Sequence, residues 1–440
     1  MNLLRFLPRF RDAEQAQEKM ALRESQSREQ IQAFQLAKIN EIWRDCVRFV
    51  PHYRDRNKKR RLPERFETLE EYQAAVPILP KTTVKANPQA FLSDRAATGR
   101  WYRTSGSTGI PMAVYWSNES HRQVLWAKYR FQSLWGVSVF DRSVFLWGRA
   151  ATGTLLQQHV EDWARGRLRL SVHDLGEQAL LENLQKITRF KPAAIYGFSQ
   201  AAYLLAQLAA KQSFDCPSLQ VCIVSSEPAY PRMRDAISAG LRVPAVIEYG
   251  ATECALIAYQ HPDGTIRVRE DLVMLETIPR VDGRFDIVLT VLANRSFPLL
   301  RYSIGDVTDS PLCTSKPGFG TIGNIDGRND DVLVTKGGRI LHPTSLDQVF
   351  EGTRYPSVQS YQIRQDAQGA LFVTVILTAD SLDSKRLRRE FETLLEGYPV
   401  HVNIVEKFPP AAGGKHRAIR SELAVQPNCI EAEQMPNLTV

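Results

Sequence analysis

Residues Thr104 to Pro111 read Thr-Ser-Gly-Ser-Thr-Gly-Ile-Pro and follow the aromatic pair Trp101 and Tyr102. Such a loop can hold a polyanion. Gly106 and Gly109 allow a tight turn with bare backbone N–H groups, and Thr104, Ser105, Ser107 and Thr108 add neutral hydroxyl donors. A Walker loop would end in Gly-Lys-Ser/Thr, whereas Gly109 is followed by Ile110 and Pro111, so P-loop phosphoryl transfer is disfavoured. The same composition also makes an ordinary polar turn. What decides between the two is the company the loop keeps.

Four segments follow it in order: Tyr249-Gly250-Ala251-Thr252-Glu253, Arg301-Tyr302-Ser303-Ile304-Gly305-Asp306, Gly327-Arg328-Asn329-Asp330-Asp331, and Gly413-Gly414-Lys415. Together with the loop, this ordered set resembles the adenylate-forming superfamily over roughly residues 75 to 420. Within it, Pro80-Lys81-Thr82-Thr83 upstream and Phe297-Pro298-Leu299-Leu300 before Arg301 resemble the phenylacetate–CoA ligase and capsular-polysaccharide-biosynthesis (CapK-like) branch.

The resemblance implies ATP-dependent activation of a carboxylic acid. The carboxylate attacks the α-phosphorus to give an acyl-adenylate and pyrophosphate, and the acyl group then passes to coenzyme A. Two anions must meet, so the work is positioning and charge neutralisation. By the same resemblance, Thr104 to Gly109 hold the departing phosphates, Glu253 supports Mg²⁺ and Thr252 donates to the α-phosphate. One carboxylate plus substrate phosphates is a normal Mg²⁺ arrangement. Asp306 takes the ribose hydroxyls, Arg328 adds a ribose or phosphate contact, Ser226, Glu227, Pro228 and Tyr249 flank the adenine, and Gly250 belongs to the same nucleotide site. Lys415 is the implied catalytic cation and Asp330 the hinge that swings it in and out between half-reactions. Read without the resemblance, Thr252-Glu253 is a helix cap, Asp306 and Asp330 are turn residues, Tyr249 is rim packing, and Arg328 and Lys415 are surface cations.

Two features depart from the family pattern. Ile110 stands where relatives carry lysine, which leaves a charge to be supplied by Lys81, Lys85 or Arg103. Relatives also often carry Cys and His ligands after the Thr-Glu pair. Here that stretch offers only Cys254 and His261, so no zinc is expected. The acceptor is less constrained than the activation step: an amine or hydroxyl could replace coenzyme A, and a non-catalytic nucleotide-binding relative is the third reading. An acyl pocket is expected from Trp147, Tyr196, Phe198 and Ser225, whose rings suit a flat acid and equally suit core packing.

The elements that must position these residues alternate. Strands are expected at 113–116, 143–147, 193–196, 220–225 and 245–249, with helices at 118–135, 177–189, 199–211 and 229–239. Such alternation implies an α/β fold with a mostly parallel sheet, whose carboxyl strand ends carry the ligand loops. From 262 the texture shifts to short strands, a β-rich subdomain. A small mobile α+β domain follows, with strands at 358–364, 371–378 and 401–406 and a helix at 382–395. The large adenylation domain is expected over 1–329, with 1–75 a helical extension packed on it, and the C-terminal lid over 330–440, poorly ordered from about 425.

Composition fits this organisation. At 440 residues with 43% hydrophobic content the chain exceeds a single core. The 6 cysteines contain no CxxC pair, as expected of a reduced, cytoplasmic protein. A net charge of +8 and the run Arg54 to Arg61 suit polyanionic ligands; without a zinc-finger or RNP-like motif they do not point to nucleic acid. No membrane span is expected, and a monomer or homodimer is.

Overall fold

The computed structural model describes residues 12–60, 62–103, 112–147, 162–163, 165–172, 175, 177–227, 229–328, 333–337, 340–341, 349–350, 355, 357–377, 382–408 and 419–423. Two compact units divide between Asp326 and Gly327.

The larger unit opens with helices α1 (Ala13–Glu24), α2 (Arg28–Phe49), α3 (Pro51–Arg60) and α4 (Leu69–Ala75). The start of α2 is fixed by a capping box in which the Ser27 side chain accepts from Gln30 N–H and Gln30 returns a bond to Ser27 N–H. Its Ile39, Ile42, Trp43 and Cys46 enter the main core. Buried charges hold these helices to the body. Arg269, fully buried, pairs with Glu24 of α1 and with Asp271, and Arg28 meets Glu270 at 2.7 Å.

Strand β1 (Leu79–Pro80) and helix α5 (Lys81–Ala86) come next, then the hairpin β2 (Gly99–Arg103) and β3 (Ala113–Ser117), and helix α6 (Asn118–Ser133). The expected alternation then runs as β4 (Ser143–Leu146), β5 (Arg167–Leu170), α7 (Glu177–Phe190), β6 (Ala194–Phe198), α8 (Ser199–Lys211), β7 (Val221–Ser225), α9 (Pro231–Leu241) and β8 (Ala245–Ala251). Strands β5, β4, β6, β7 and β8 are parallel neighbours, and β8 continues antiparallel into β9 (Ala255–Gln260), β10 (Ile266–Val268) and β14 (Thr321–Ile322). Strands β6 and β7 are buried throughout, as expected where helices cover both faces.

The second sheet has β1 parallel to β13 (Tyr302–Thr308), then β12 (Phe285–Val291) and β11 (Val273–Pro279) antiparallel, with β15 (Ile325–Arg328) also on β13. The smaller unit has β16 (Leu333–Val334) against β17 (Ile340–Leu341), and a sheet of β18 (Val358–Gln365), β19 (Leu371–Leu377), β20 (Val400–Ile404) and β21 (Ile419–Ser421). Helix α10 (Ser384–Leu394) packs Leu387 and Phe391 into that unit's own core. The architecture is thus the expected α/β one: a mostly parallel sheet with helices, a β-rich sheet and a small α+β unit. Strand β5, like β1, α5, β2 and β9, is an element that the periodicity did not show. The Arg-Leu-Arg-Leu of β5 is short and lies on the edge of the sheet, with Arg167 partly exposed and Arg169 exposed.

Candidate active site

Strands β4, β6, β7 and β8 all point their carboxyl ends to one edge, the place where open α/β sheets take ligands. Strand β8 delivers Tyr249 and Gly250, and a turn at Thr252 to Cys254 leads straight into β9, so Thr252 and Glu253 sit in a hairpin turn and cap no helix. Gly250 permits this hairpin: a Cβ there would lie 2.3 Å from the Ala255 carbonyl oxygen. Ala255 itself takes a left-handed φ of 58° to close it. The Thr252 carbonyl accepts the Trp116 indole N–H at 2.9 Å, tying the turn to β3.

Asp306 arrives from the other sheet by a local irregularity. Pairing between β12 and β13 runs Asp286 with Val307, then Val288 with Ser303, so Ile304, Gly305 and Asp306 bulge out of the ladder. Gly305 supplies the required φ of 84°. The bulge brings the Asp306 Oδ2 within 2.7 Å of the Tyr249 hydroxyl, which donates to it. Burial first, then the Asp306 charge, pushes the Tyr249 pKa well above the usual phenol value, so this hydroxyl stays protonated. Two residues 57 apart in sequence, expected at the adenine and the ribose, therefore meet directly.

Glu253 is 2% exposed and engaged. Its Oε1 accepts from Lys81 Nζ at 2.8 Å and from the Tyr302 hydroxyl at 3.0 Å, and Lys81 also donates to the Ile304 carbonyl at 3.3 Å. The topology explains the meeting. Strand β1 lies parallel to β13 with Leu79 opposite Tyr302, so the first residue of α5, Lys81, emerges beside that tyrosine. Burial and the Glu253 charge raise the Tyr302 pKa well above normal. A single carboxylate fits Mg²⁺ only in the way phosphate-bound magnesium is held, with most ligands from phosphate and water. Among the described residues no group of three His, Cys, Asp or Glu side chains could hold a metal alone. Cys254 is buried, with its thiol pKa well above normal through burial and then Glu253.

The remaining expected residues divide. Ser226 takes a left-handed φ of 71°, and the Glu227 carboxylate accepts Gln200 N–H at 3.1 Å, turned to the first turn of α8. Trp147 stacks on Phe198 at 4.4 Å and on Tyr196 at 5.6 Å, with Ser225 beside them through the β6–β7 register. Arg328 closes β15, with only its backbone described; Thr104 to Gly109, Pro228, Asp330 and Lys415 lie outside the described residues.

Sequence reading missed a second buried cluster. Glu248, 3% exposed, accepts from Lys128 Nζ at 2.6 Å and from the Tyr196 hydroxyl at 2.8 Å. The signals were present as a lone carboxylate inside the apolar run Ala245 to Tyr249, and a lysine beside the buried face of α6.

No protein-family model matches the chain. It is 20% identical over 357 residues to protein CapK of Staphylococcus aureus, covering 78% of each chain. It is 24% identical over 370 residues to a phenylacetate-coenzyme A ligase of Thermus thermophilus, covering 79% of this chain and 81% of that one. Among solved structures, a 2-hydroxyisobutyryl-CoA ligase in complex with 2-HIB-AMP shares the fold with a TM-score of 0.72 at 17% identity, over 91% of this chain and 92% of that chain. Over most of its length the chain is thus similar to CapK and to phenylacetate-coenzyme A ligases, and its fold is that of an adenylate-forming CoA ligase.

Proposed function

We propose that the protein is an AMP-forming acid–thiol ligase, which activates a carboxylic acid as its acyl-adenylate with release of pyrophosphate and passes the acyl group to coenzyme A. The observation that carries this reading is the convergence of Tyr249, Asp306, Glu253 and Lys81 from two sheets at one edge, joined by the 2.7 Å Tyr249–Asp306 bond and the 2.8 Å Lys81–Glu253 pair. The relatives named phenylacetate-coenzyme A ligase support it.

Tyr249 helps to hold the Asp306 carboxylate in place, where it would accept from a ribose diol. Glu253 would hold Mg²⁺, which when bound would neutralise the phosphate oxygens as the carboxylate approaches. Lys81 shares that carboxylate now, so it stands where it can shift toward phosphate and supply the charge Ile110 lacks. Thr252 would donate to the α-phosphate, Thr104 to Gly109 would hold the leaving pyrophosphate, and Arg328 would add a contact to ribose or phosphate. Ser226, Glu227, Pro228 and Gly250 would border the adenine. Lys415 is assigned the charge between the attacking carboxylate and the α-phosphorus, with the smaller unit turning about Asp330 between half-reactions. ATP and coenzyme A make a cytoplasmic setting part of the proposal. No helix of the described residues is long and apolar enough to cross a membrane.

The stacked rings of Trp147, Tyr196 and Phe198 favour a flat acid. The test is product analysis over a panel of carboxylic acids, with and without coenzyme A. AMP and pyrophosphate in equal amounts, with thioester only when coenzyme A is present, is the expected result. ADP and phosphate would reject the reading. Amide or ester formed with an amine or hydroxyl acceptor in place of thioester would move the second step to that acceptor.

A further inference from the structure

The cluster Glu248, Lys128 and Tyr196 stands on the acyl side of the proposed site, with hydrogen-bonding capacity unspent among the described residues. Register places Phe145 opposite Tyr196, and Ser225 opposite Glu248, so these side chains share the sheet face on which α6 lays Lys128. The stacked Trp147 and Phe198 rings close the end of that face.

Glu248 Oε1 takes both the Lys128 ammonium and the Tyr196 hydroxyl, and that hydroxyl accepts a second Lys128 N–H at 3.2 Å. Burial opposes the ammonium, but Glu248 outweighs it and raises the Lys128 pKa above the usual lysine range. Burial and Glu248 push Tyr196 up to about 12, so it remains a donor at neutral pH. Among the described residues, Glu248 Oε2, the third Lys128 N–H and the Ser225 hydroxyl make no hydrogen bond. Glu248 and Tyr196 are buried and the Lys128 side chain is 30% exposed, so the way to the cluster runs along Lys128.

We infer that the acid bound here carries a hydroxyl group on a flat, aromatic body, with the hydroxyl donating to Glu248 Oε2 and accepting from Lys128 or Ser225. The inference rests on the acid-activation reading above and names its substrate class. Lys128 and Glu248 cancel, so the face is neutral and a charged substituent would bring an uncompensated buried charge. An ammonium could not accept from Lys128 or Ser225, and a second carboxylate could not donate to Glu248. A hydroxyl does both. An acid without it leaves the carboxylate oxygen desolvated and unpaired, the situation in which sites discriminate strongly.

The test is calorimetric binding of hydroxyphenylacetates and hydroxybenzoates against phenylacetate and benzoate, using the full chain without nucleotide. At least one hydroxylated isomer should bind about 10- to 100-fold tighter than its parent. In Glu248→Gln, and in the apolar double variant Lys128→Met with Glu248→Leu, that ratio should fall toward one; the double variant leaves no charge unpaired and guards against a folding failure. Equal or tighter binding of the parent acids, absence of binding by every hydroxylated acid, or a ratio unchanged in both variants would overturn the inference. Hydroxyl preference in binding without AMP formation would reject the activity and leave this inference standing. AMP formed equally well from parent and hydroxylated acids would do the reverse.

Discussion

Replacing Lys81 by Met isolates the pair on which the proposed metal and phosphate chemistry depends. Glu253 is 2% exposed, and its Oε1 is held by Lys81 at 2.8 Å and Tyr302 at 3.0 Å. Removing one partner of a fully buried ion pair costs about 3–5 kcal/mol. Lys81 is 30% exposed, so water screens part of that charge, and Tyr302 remains as a donor. The expected loss for Lys81→Met is therefore about 1–3 kcal/mol. In Glu253→Gln the charge disappears with its partner, so adding Lys81→Met to that background should cost much less, a coupling of about 1–2 kcal/mol in a double-mutant cycle. Urea unfolding followed by tryptophan fluorescence reads this cleanly, because all 7 tryptophans, from Trp43 to Trp163, lie in the larger unit. A coupling below about 0.3 kcal/mol would mean that the two side chains act independently, and the geometry would be wrong. The same variants bear on catalysis: Glu253→Gln should abolish adenylation while leaving the unit folded.

Three further expectations follow from particular contacts. Tyr249→Phe removes the donor that fixes Asp306 and should raise the KM for ATP about tenfold, from a charge-assisted bond worth about 1.5–3 kcal/mol, with a smaller effect on the KM for the acid; unchanged ATP kinetics would detach Asp306 from the nucleotide. Burial, and then Arg56, lowers the pKa of His52, whose ring stacks on Phe91 at 4.3 Å. The unfolded chain thus takes up its proton first as pH falls through about 6.5, and stability should drop between pH 7 and pH 5, less steeply in His52→Phe; parallel pH profiles would refute this. Lys415→Ala should slow adenylation by on the order of 10²–10³ while sparing transfer from supplied acyl-adenylate, and equal loss in both half-reactions would reject the two-orientation mechanism.

Most of the fold was legible because helix and strand periods are local. The alternation from Ala113 to Tyr249 follows from burial on both faces of a parallel sheet, and the structure reproduces it to within a residue or two at most boundaries. The turn at Thr252 was less legible, because nothing local announces that β8 runs on through Gly250 and Ala251 into a hairpin with β9. Long-range pairings were hidden altogether. Lys81 and Glu253 are 172 positions apart, and Lys128 and Glu248 are 120 apart. Their meeting depends on β1 lying beside β13, and on α6 bringing Lys128 over the face of the sheet that carries Glu248. Glu248 could have been suspected as a charge in an apolar strand, but its partners could not. The bond by which the Glu227 carboxylate accepts Gln200 N–H was likewise not legible in the sequence.

Attack of a carboxylate oxygen on the α-phosphorus of ATP leaves an isotopic record that one experiment can read. An accepted acid labelled with ¹⁸O in its carboxyl group is turned over with ATP and coenzyme A, and the phosphorus products are examined by mass spectrometry. Attack at the α-phosphorus makes a new P–O bond from the acid's oxygen, and thiolate attack on the acyl carbon then breaks the C–O bond, leaving that oxygen on AMP. One ¹⁸O per AMP and none in pyrophosphate is the expected result. Label in inorganic phosphate with ADP as the nucleotide product, or AMP free of label, would contradict it.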